Sequence, residues 1–345
     1  MRKLLNTLYI TRENSSLFKE GETIIIKINN EEIHQFPIHI LEGIVCFGYV
    51  FVSPPLMHFC ANKKVSLSFL NPHGRFWARI QGPVSGNVLL RREQYRMADQ
   101  DEHCERIAKS MLLAKISNSR TVLMRAIRDG TIKEDNIIKK FKNITGRLAN
   151  SAQELEKNLS MAELRGIEGE AAKNYFSVFD HLIIMQKSNF FFRERSRRPP
   201  LDNTNCLLSF IYTLLTHDVV SALETVGLDP SVGFLHSDRP GRPSLALDCM
   251  EELRSFIADR LTLTLINRLQ LTGKDFITSP TGDVRFSEEG RKKVLEAYQK
   301  RKQEEIIHPF LKEKISIGLI PHIQAQLLSR HIRGDLIEYP PFFWR

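Results

Sequence analysis

No stretch of the 345 residues runs eighteen apolar positions unbroken, so a membrane span is not expected. The opening MRKLLNTLYITRENSS turns from basic to apolar, but Asn6 and Thr7 cut the apolar run too short for a signal segment. Cysteines are few and odd in number: Cys46, Cys60, Cys104, Cys206 and Cys249 are scattered, and no C-x-x-C pair occurs. That argues against a disulfide framework and fits buried, reduced thiols in a cytoplasmic protein. Nucleotide-binding signatures are missing too. There is no G-x-x-x-x-G-K-S/T and no dinucleotide fingerprint, and neither H-E-x-x-H nor G-x-S-x-G appears.

What is present is ordinary in bulk and biased in charge. Hydrophobic content of 42% and charged content of 26% describe a globular chain large enough for two domains. A net charge of +9 and a pI near 9.3 favour a polyanionic partner, nucleic acid before acidic membrane.

Residues 1–82 read as strands, with Leu4–Thr11, the isoleucine-rich Glu22–Asn29, Glu32–Phe36, Gly43–Phe47, Val65–Leu70 and Arg75–Gln81. A short helical piece, Leu56–Asn62, follows Pro54-Pro55, and Asn71–Gly74 reads as a turn. Residues 83–87 read as a linker. From Val88 the hydrophobic period changes from two to about 3.6. Helices are expected over Val88–Met97, Glu102–Arg128, Ile137–Leu148, Ser151–Asn158, Met161–Met185, Leu207–Val226, Leu245–Arg254 and Leu311–Arg333. The expected architecture is α+β and multidomain. A small β-sandwich-like N-terminal domain that dimerises (1–82) precedes a larger all-α catalytic and DNA-binding domain (88–335). The tail 336–345, with two prolines and three aromatics, reads as an extended segment docking on a groove of this chain or another.

The stretch Ser231–Arg254, SVGFLHSDRPGRPSLALDCMEELR, concentrates the candidate chemistry. A Gly- and Pro-rich loop carries His236, Ser244 stands at an N-cap position, and Asp248, Glu251 and Glu252 lie three and four apart on one helix face. A loop histidine facing helical carboxylates suits a hard or borderline divalent cation. The same residues also describe a solvated helix end. Upstream, Met161–Met185 carries Glu163, Glu168 and Glu170. The loop Lys187–Asn205 bears Arg193, Arg195, Arg197 and Arg198 behind three phenylalanines, a candidate phosphate contact or a bare basic loop. His217 and Asp218 diverge by about 100° as helix neighbours and read as structural. In Arg291–Ile307, the side formed by Leu295, Tyr298, Lys302 and Ile306 is either a solvated face or a nucleic-acid flank.

Three segments together resemble the CRISPR-associated integrase/endonuclease family, the Cas-one proteins: LRGIEGEAAKNYF, the run from RSRRPPLDNTN to VGFLH, and GRPSLALDCMEELR. NTLYIT and LEGIVCFG resemble the type I-C form. The resemblance implies that Glu168, His236 and Glu251 are catalytic and bind Mn²⁺ or Mg²⁺, with Asp248 a neighbouring or additional acid and Arg242 a phosphate contact. It implies that a prespacer 3′-hydroxyl joins the CRISPR repeat by transesterification, with associated endonuclease activity. The implied partners are DNA, a second copy of the chain and the small ferredoxin-like Cas-two protein. A non-catalytic basic DNA-binding module and a general metal-dependent nuclease are the alternatives.

Overall fold

Ile24 and Ile26 of TIIIKI point into a shared core, and Gly21 takes the positive φ of 55° that a two-residue hairpin demands. The hairpin so formed lies in a computed structural model that describes residues 6–12, 14–29, 31–63, 65–72, 76–80, 82 and 88–344, apart from the side chains of 32 and 33. The expected linker 83–87 and residues 73 and 74 of the expected turn lie outside the described residues.

The N-terminal elements are β1 (Thr7–Ile10), β2 (Ser15–Glu20), β3 (Thr23–Ile28), β4 (Glu31–Pro37), β5 (Gly43–Phe47), β6 (Phe51–Val52), α1 (Pro54–Lys63), β7 (Ser66–Leu70) and β8 (Phe76–Ile80). They form two four-stranded sheets, ordered β1-β5-β7-β8 and β4-β3-β2-β6. Leu17, Ile24 and Ile26 of one sheet, Ile10, Ile44 and Leu67 of the other, and Leu56 of α1 share one core, which is the sandwich-like arrangement. β2 was not among the expected strands, because SSLFKE is half polar. Only Ser15 and Leu17 turn inward.

The helical part comprises α2 (Val88–Ala98), α3 (Asp101–Arg128), α4 (Asp135–Glu154), α5 (Met161–Phe176), α6 (Asn203–Val226), α7 (Ser244–Glu251), α8 (Arg260–Asn267), α9 (Glu288–Gln303) and α10 (Ile320–Ile332). Two short ribbons, β9 (Phe276–Thr278) with β10 (Val284–Phe286) and β11 (Glu305–Ile307) with β12 (Lys314–Ser316), are inserted among the helices. The expected helix from Leu311 therefore starts at Ile320. The two helices expected over 137–158 are one, since no breaker separates them. The helix expected to reach Met185 stops at Phe176. Asp180 accepts the Phe192 N–H at 2.7 Å and pairs with Lys187, folding the chain back while Phe176, Phe179 and Phe192 cluster.

The β module seats on the helical part through Val45, Phe47 and Leu70, which join the helical core; Phe47 packs on Phe210 and lies under Arg291. α6 is long and apolar enough to cross a membrane by composition, yet 56% of that window is buried, and it packs on α7 and α10 as a core helix.

Candidate active site

Four elements converge here. α3 supplies Lys115, α5 supplies Glu168 and α7 supplies Glu251 to one cleft, and the loop after α6 brings His236 beside Glu251, with Asp248 of α7 buried behind it. α7 does not begin with the expected Ser244 cap. Pro243 precedes the first turn, the Pro230 carbonyl accepts the N–H groups of Leu245 and Ala246, and the Ser244 hydroxyl instead donates to Ser237 O at 3.2 Å. After Glu251 the chain widens into a π-helix, Arg254–Asp259. Insertions of this kind re-aim side chains and recur at functional sites.

Asp248 is fully buried and gathers the loop. Its Oδ2 accepts from Phe234 N at 2.7 Å and Leu235 N at 2.9 Å, and its Oδ1 from His236 N at 3.0 Å. A Cβ on Gly233 would stand 2.7 Å from Asp248 Oδ2, so the loop closes only over glycine. The same Oδ1 lies 2.6 Å from His236 Nδ1. Because a carboxylate oxygen accepts, Nδ1 carries the proton, and in the neutral ring Nε2 keeps its lone pair. Nε2 is 3.9 Å from Glu251 Oε1. Arg165, one turn before Glu168 on α5, donates twice to Leu235 O, at 3.0 and 2.8 Å, and ties α5 to the histidine loop.

Glu251 is 2% exposed. Its Oε1 pairs with Arg254 at 2.7 Å and its Oε2 with the Lys115 ammonium at 2.7 Å. Burial pushes this carboxyl up, but Arg254 and Lys115 pull it further down, to about 2. Lys115 also pairs with Glu168 and so bridges the two glutamates. Among the described residues no three His, Cys, Asp or Glu side chains form a metal-holding group, because Lys115 stands between the carboxylates. The donor set of two carboxylates and an imidazole nitrogen held from behind by another carboxylate still suits a divalent cation. Glu251 Oε2 has no hydrogen-bonding partner besides its ion-pair contact with Lys115.

Cations and aromatics line the rest of the cleft. Arg195 and Arg254 both lie over Tyr212, at 5.3 and 5.4 Å, and each keeps a buried Nε without a hydrogen-bonding partner. Tyr175 and Tyr212 both donate to Asp259, at 3.0 and 2.7 Å; burial raises that carboxyl to about 6, against the pull of the two phenols.

Of the basic loop, Arg193, Arg197 and Arg198 are exposed, whereas Arg195 is committed inward to Ser196 O, Asn205 Oδ1 and Ser209 Oγ. Arg242, on the loop before α7, is half-buried, and Glu163 belongs to the capping box of α5. Glu252 does not share the face of Asp248: the turn after Glu251 swings it to the tail, where Tyr339 and Phe342 bond it. Tyr298 is buried and donates to Asp218, so it offers no stacking face to nucleic acid, and Ile306 lies on β11 rather than on α9. Cys249 is buried among apolar groups that push its thiol well up, away from nucleophilic use. Sequence reasoning missed Lys115, Arg165 and Arg254; only the closeness of Arg254 to Glu251 at helical spacing offered a signal.

Residues 8–300 match the family model described as CRISPR associated protein Cas1. A CRISPR-associated endonuclease Cas1 from Chlorobaculum tepidum is 54% identical over 345 residues, covering all of both chains. The fold is similar to that of a Cas1 protein from Thermotoga maritima (TM-score 0.79, 24% identity, 95% of this chain and 97% of that one). It is also similar to that of a casposase bound to an integration product (TM-score 0.83, 23% identity, 98% and 94%). A β module leading into a helical domain with an acidic, cation-rimmed cleft is thus the frame of an enzyme acting on phosphodiester bonds in DNA. The chain belongs to the CRISPR-associated Cas1 family.

Proposed function

We propose that the cleft formed by Glu168, His236 and Glu251 is the centre of a metal-dependent DNA integrase of CRISPR adaptation, with associated endonuclease activity. The single observation that carries the reading is His236, oriented by Asp248 so that Nε2 faces Glu251, with Glu168 on the other side of a shared cation. Glu168, His236 Nε2 and Glu251 would hold Mn²⁺ or Mg²⁺. When bound, the ion supplies charge stabilisation at phosphorus and a lower pKa for the attacking hydroxyl.

The chain's own groups do the positioning. Asp248 fixes the imidazole, and Arg165 fixes the loop that carries it. Arg254 holds Glu251 at 2.7 Å, and Arg195 braces the wall of the cleft through Asn205 and Ser209. The prespacer 3′-oxygen forms a bond to phosphorus while a phosphorus–oxygen bond of the repeat strand breaks. The proton passes from the attacking oxygen to the leaving one. With water in place of the hydroxyl, the same arrangement cuts DNA.

Arg193, Arg197, Arg198 and Arg242 extend the phosphate track. A homodimer through the β module is supported by the exposed Tyr49, Phe51 and Trp77, and the likeness to chains from a complex that contains Cas1 and Cas2 supports a Cas2 partner. A cytoplasmic location follows from the task, and NTLYIT and LEGIVCFG support the type I-C form. The test is joining of a labelled prespacer to a supercoiled repeat plasmid, with and without Cas2 and chelator. Joining that needs the metal and is lost in His236→Ala is expected. Chelator-resistant joining would remove the proposed centre.

A further inference from the structure

The segment Leu336–Trp344 docks on this same chain, and its anchor points are the elements that carry the active site. Phe342 is fully buried against Phe256, and Tyr339 is 3% exposed. The side chain of Glu252, the residue after Glu251, is wholly buried and is held from this segment. Tyr339 OH donates to its Oε1, and Phe342 N donates to its Oε2 at 2.6 Å.

Asn118 fastens the arrangement to α3. Its Nδ2 donates to Glu252 O and to Phe342 O, each at 2.8 Å, and its Oδ1 accepts from Trp344 N at 2.7 Å. Asn118 stands three residues after Lys115, on the same helix. The Trp344 ring has the guanidinium of Arg125, from α3, at 4.1 Å and that of Arg260, from α8, at 4.3 Å. The backbone of Glu252 is therefore fixed through Asn118 and its side chain chiefly by the tail, with longer contacts from Gln324 of α10 at 3.3 and 3.4 Å.

We propose that Leu336–Trp344 is a positioning latch for the active site, holding Glu251 on α7 in place against α3 and so toward Glu168 and His236. The inference rests on reading Glu251 as a metal ligand. Its physical basis is the cost of a loose end. With the latch released, Glu252 would keep only the long contacts from Gln324, and the 251–252 backbone, no longer held at its side chain, is free to shift toward solvent. A shift of that kind moves a ligand directly. Groups that hold a ligand in place typically set metal affinity by about 10- to 100-fold.

The test is calorimetric titration of Mn²⁺ into the full chain and into three full-length variants, each also followed by thermal melting. Asn118→Ala removes the fastening. Trp344→Ala removes a half-buried ring and no core side chain. Leu17→Ala empties part of the separate β-module core. We expect Asn118→Ala and Trp344→Ala to weaken Mn²⁺ binding about tenfold. Leu17→Ala should lose melting temperature and keep its affinity. Unchanged affinity in both latch variants, or an equal loss in Leu17→Ala, would overturn the latch. An unmodified chain that binds no Mn²⁺ would overturn the ligand reading itself, a failure visible before any variant is compared.

Discussion

Replacing Lys115 by methionine should make the metal-free protein less stable and its metal binding tighter. Lys115 is 12% exposed and its partner Glu251 2%, with 2.7 Å between the charges. At an effective dielectric of about 20, that separation corresponds to about 6 kcal/mol of attraction. Desolvation offsets much of this, and removing one member of a buried pair typically costs about 3–5 kcal/mol. Glu168 is 30% exposed and screened by solvent, so the lower end applies. A loss of about 3 kcal/mol should lower the melting temperature of the metal-free variant by roughly 4 °C at this chain length. A divalent cation must displace the ammonium from between the carboxylates. Once displaced into solvent, Lys115 contributes nothing to the bound form. The loss in the metal-free state therefore returns as affinity, up to about a hundredfold at about 1.4 kcal/mol per factor of ten. Melting in chelator and calorimetric Mn²⁺ titration measure the two halves. A Lys115→Met protein that is as stable as the parent in chelator, or that binds Mn²⁺ no more tightly, would refute the reasoning.

Three further outcomes follow from the geometry. Asp248→Asn cannot accept from all four of its donors, so it should cost about 2–4 kcal/mol of stability and weaken Mn²⁺ binding through the loosened His236, both read by melting with and without the ion. Replacing Arg193, Arg197 and Arg198 with alanine should weaken binding to unrelated DNAs alike and reduce the salt slope by about 3, whereas Arg195→Ala should act mainly on stability. Burial, aided by Arg79 and opposed by Asp218, lowers His217 to about 4. Its contribution is thus present above pH 6.5 and lost as the pH falls toward 4, by at most about 3 kcal/mol, and His217→Asn should flatten that acid limb in denaturant titrations.

The parts of the site that were legible are those written as local pattern. The isoleucine-rich run Glu22–Asn29 announced a strand, and the loop histidine with acids at helical spacing marked the cleft. The resemblance chose Glu168 over Glu163, and the structure spends Glu163 on a helix cap. What was not legible depends on packing between distant segments. Lys115 sits in a long amphipathic helix where a lysine reads as solvent-facing, and nothing local says that two glutamates from other elements close over it. Asp248 and Glu252 share a face only while the helix continues; α7 ends at Glu251, so the next residue turns away. Tyr298 looked exposed among lysines because its partner Asp218 is eighty residues away. That the tail docks was legible from its prolines and aromatics, but where it docks required knowing that Glu252 was buried and in need of donors.

The central claim is that Glu168, His236 and Glu251 hold one divalent cation in place of the Lys115 ammonium. The most direct measurement is anomalous diffraction at the manganese edge from crystals soaked in Mn²⁺. The account predicts a peak bounded by His236 Nε2 and the two glutamates, with Lys115 turned away from both. A peak on Asp248 instead, or an unchanged Lys115 bridge in a crystal whose protein binds Mn²⁺ in solution, would contradict it.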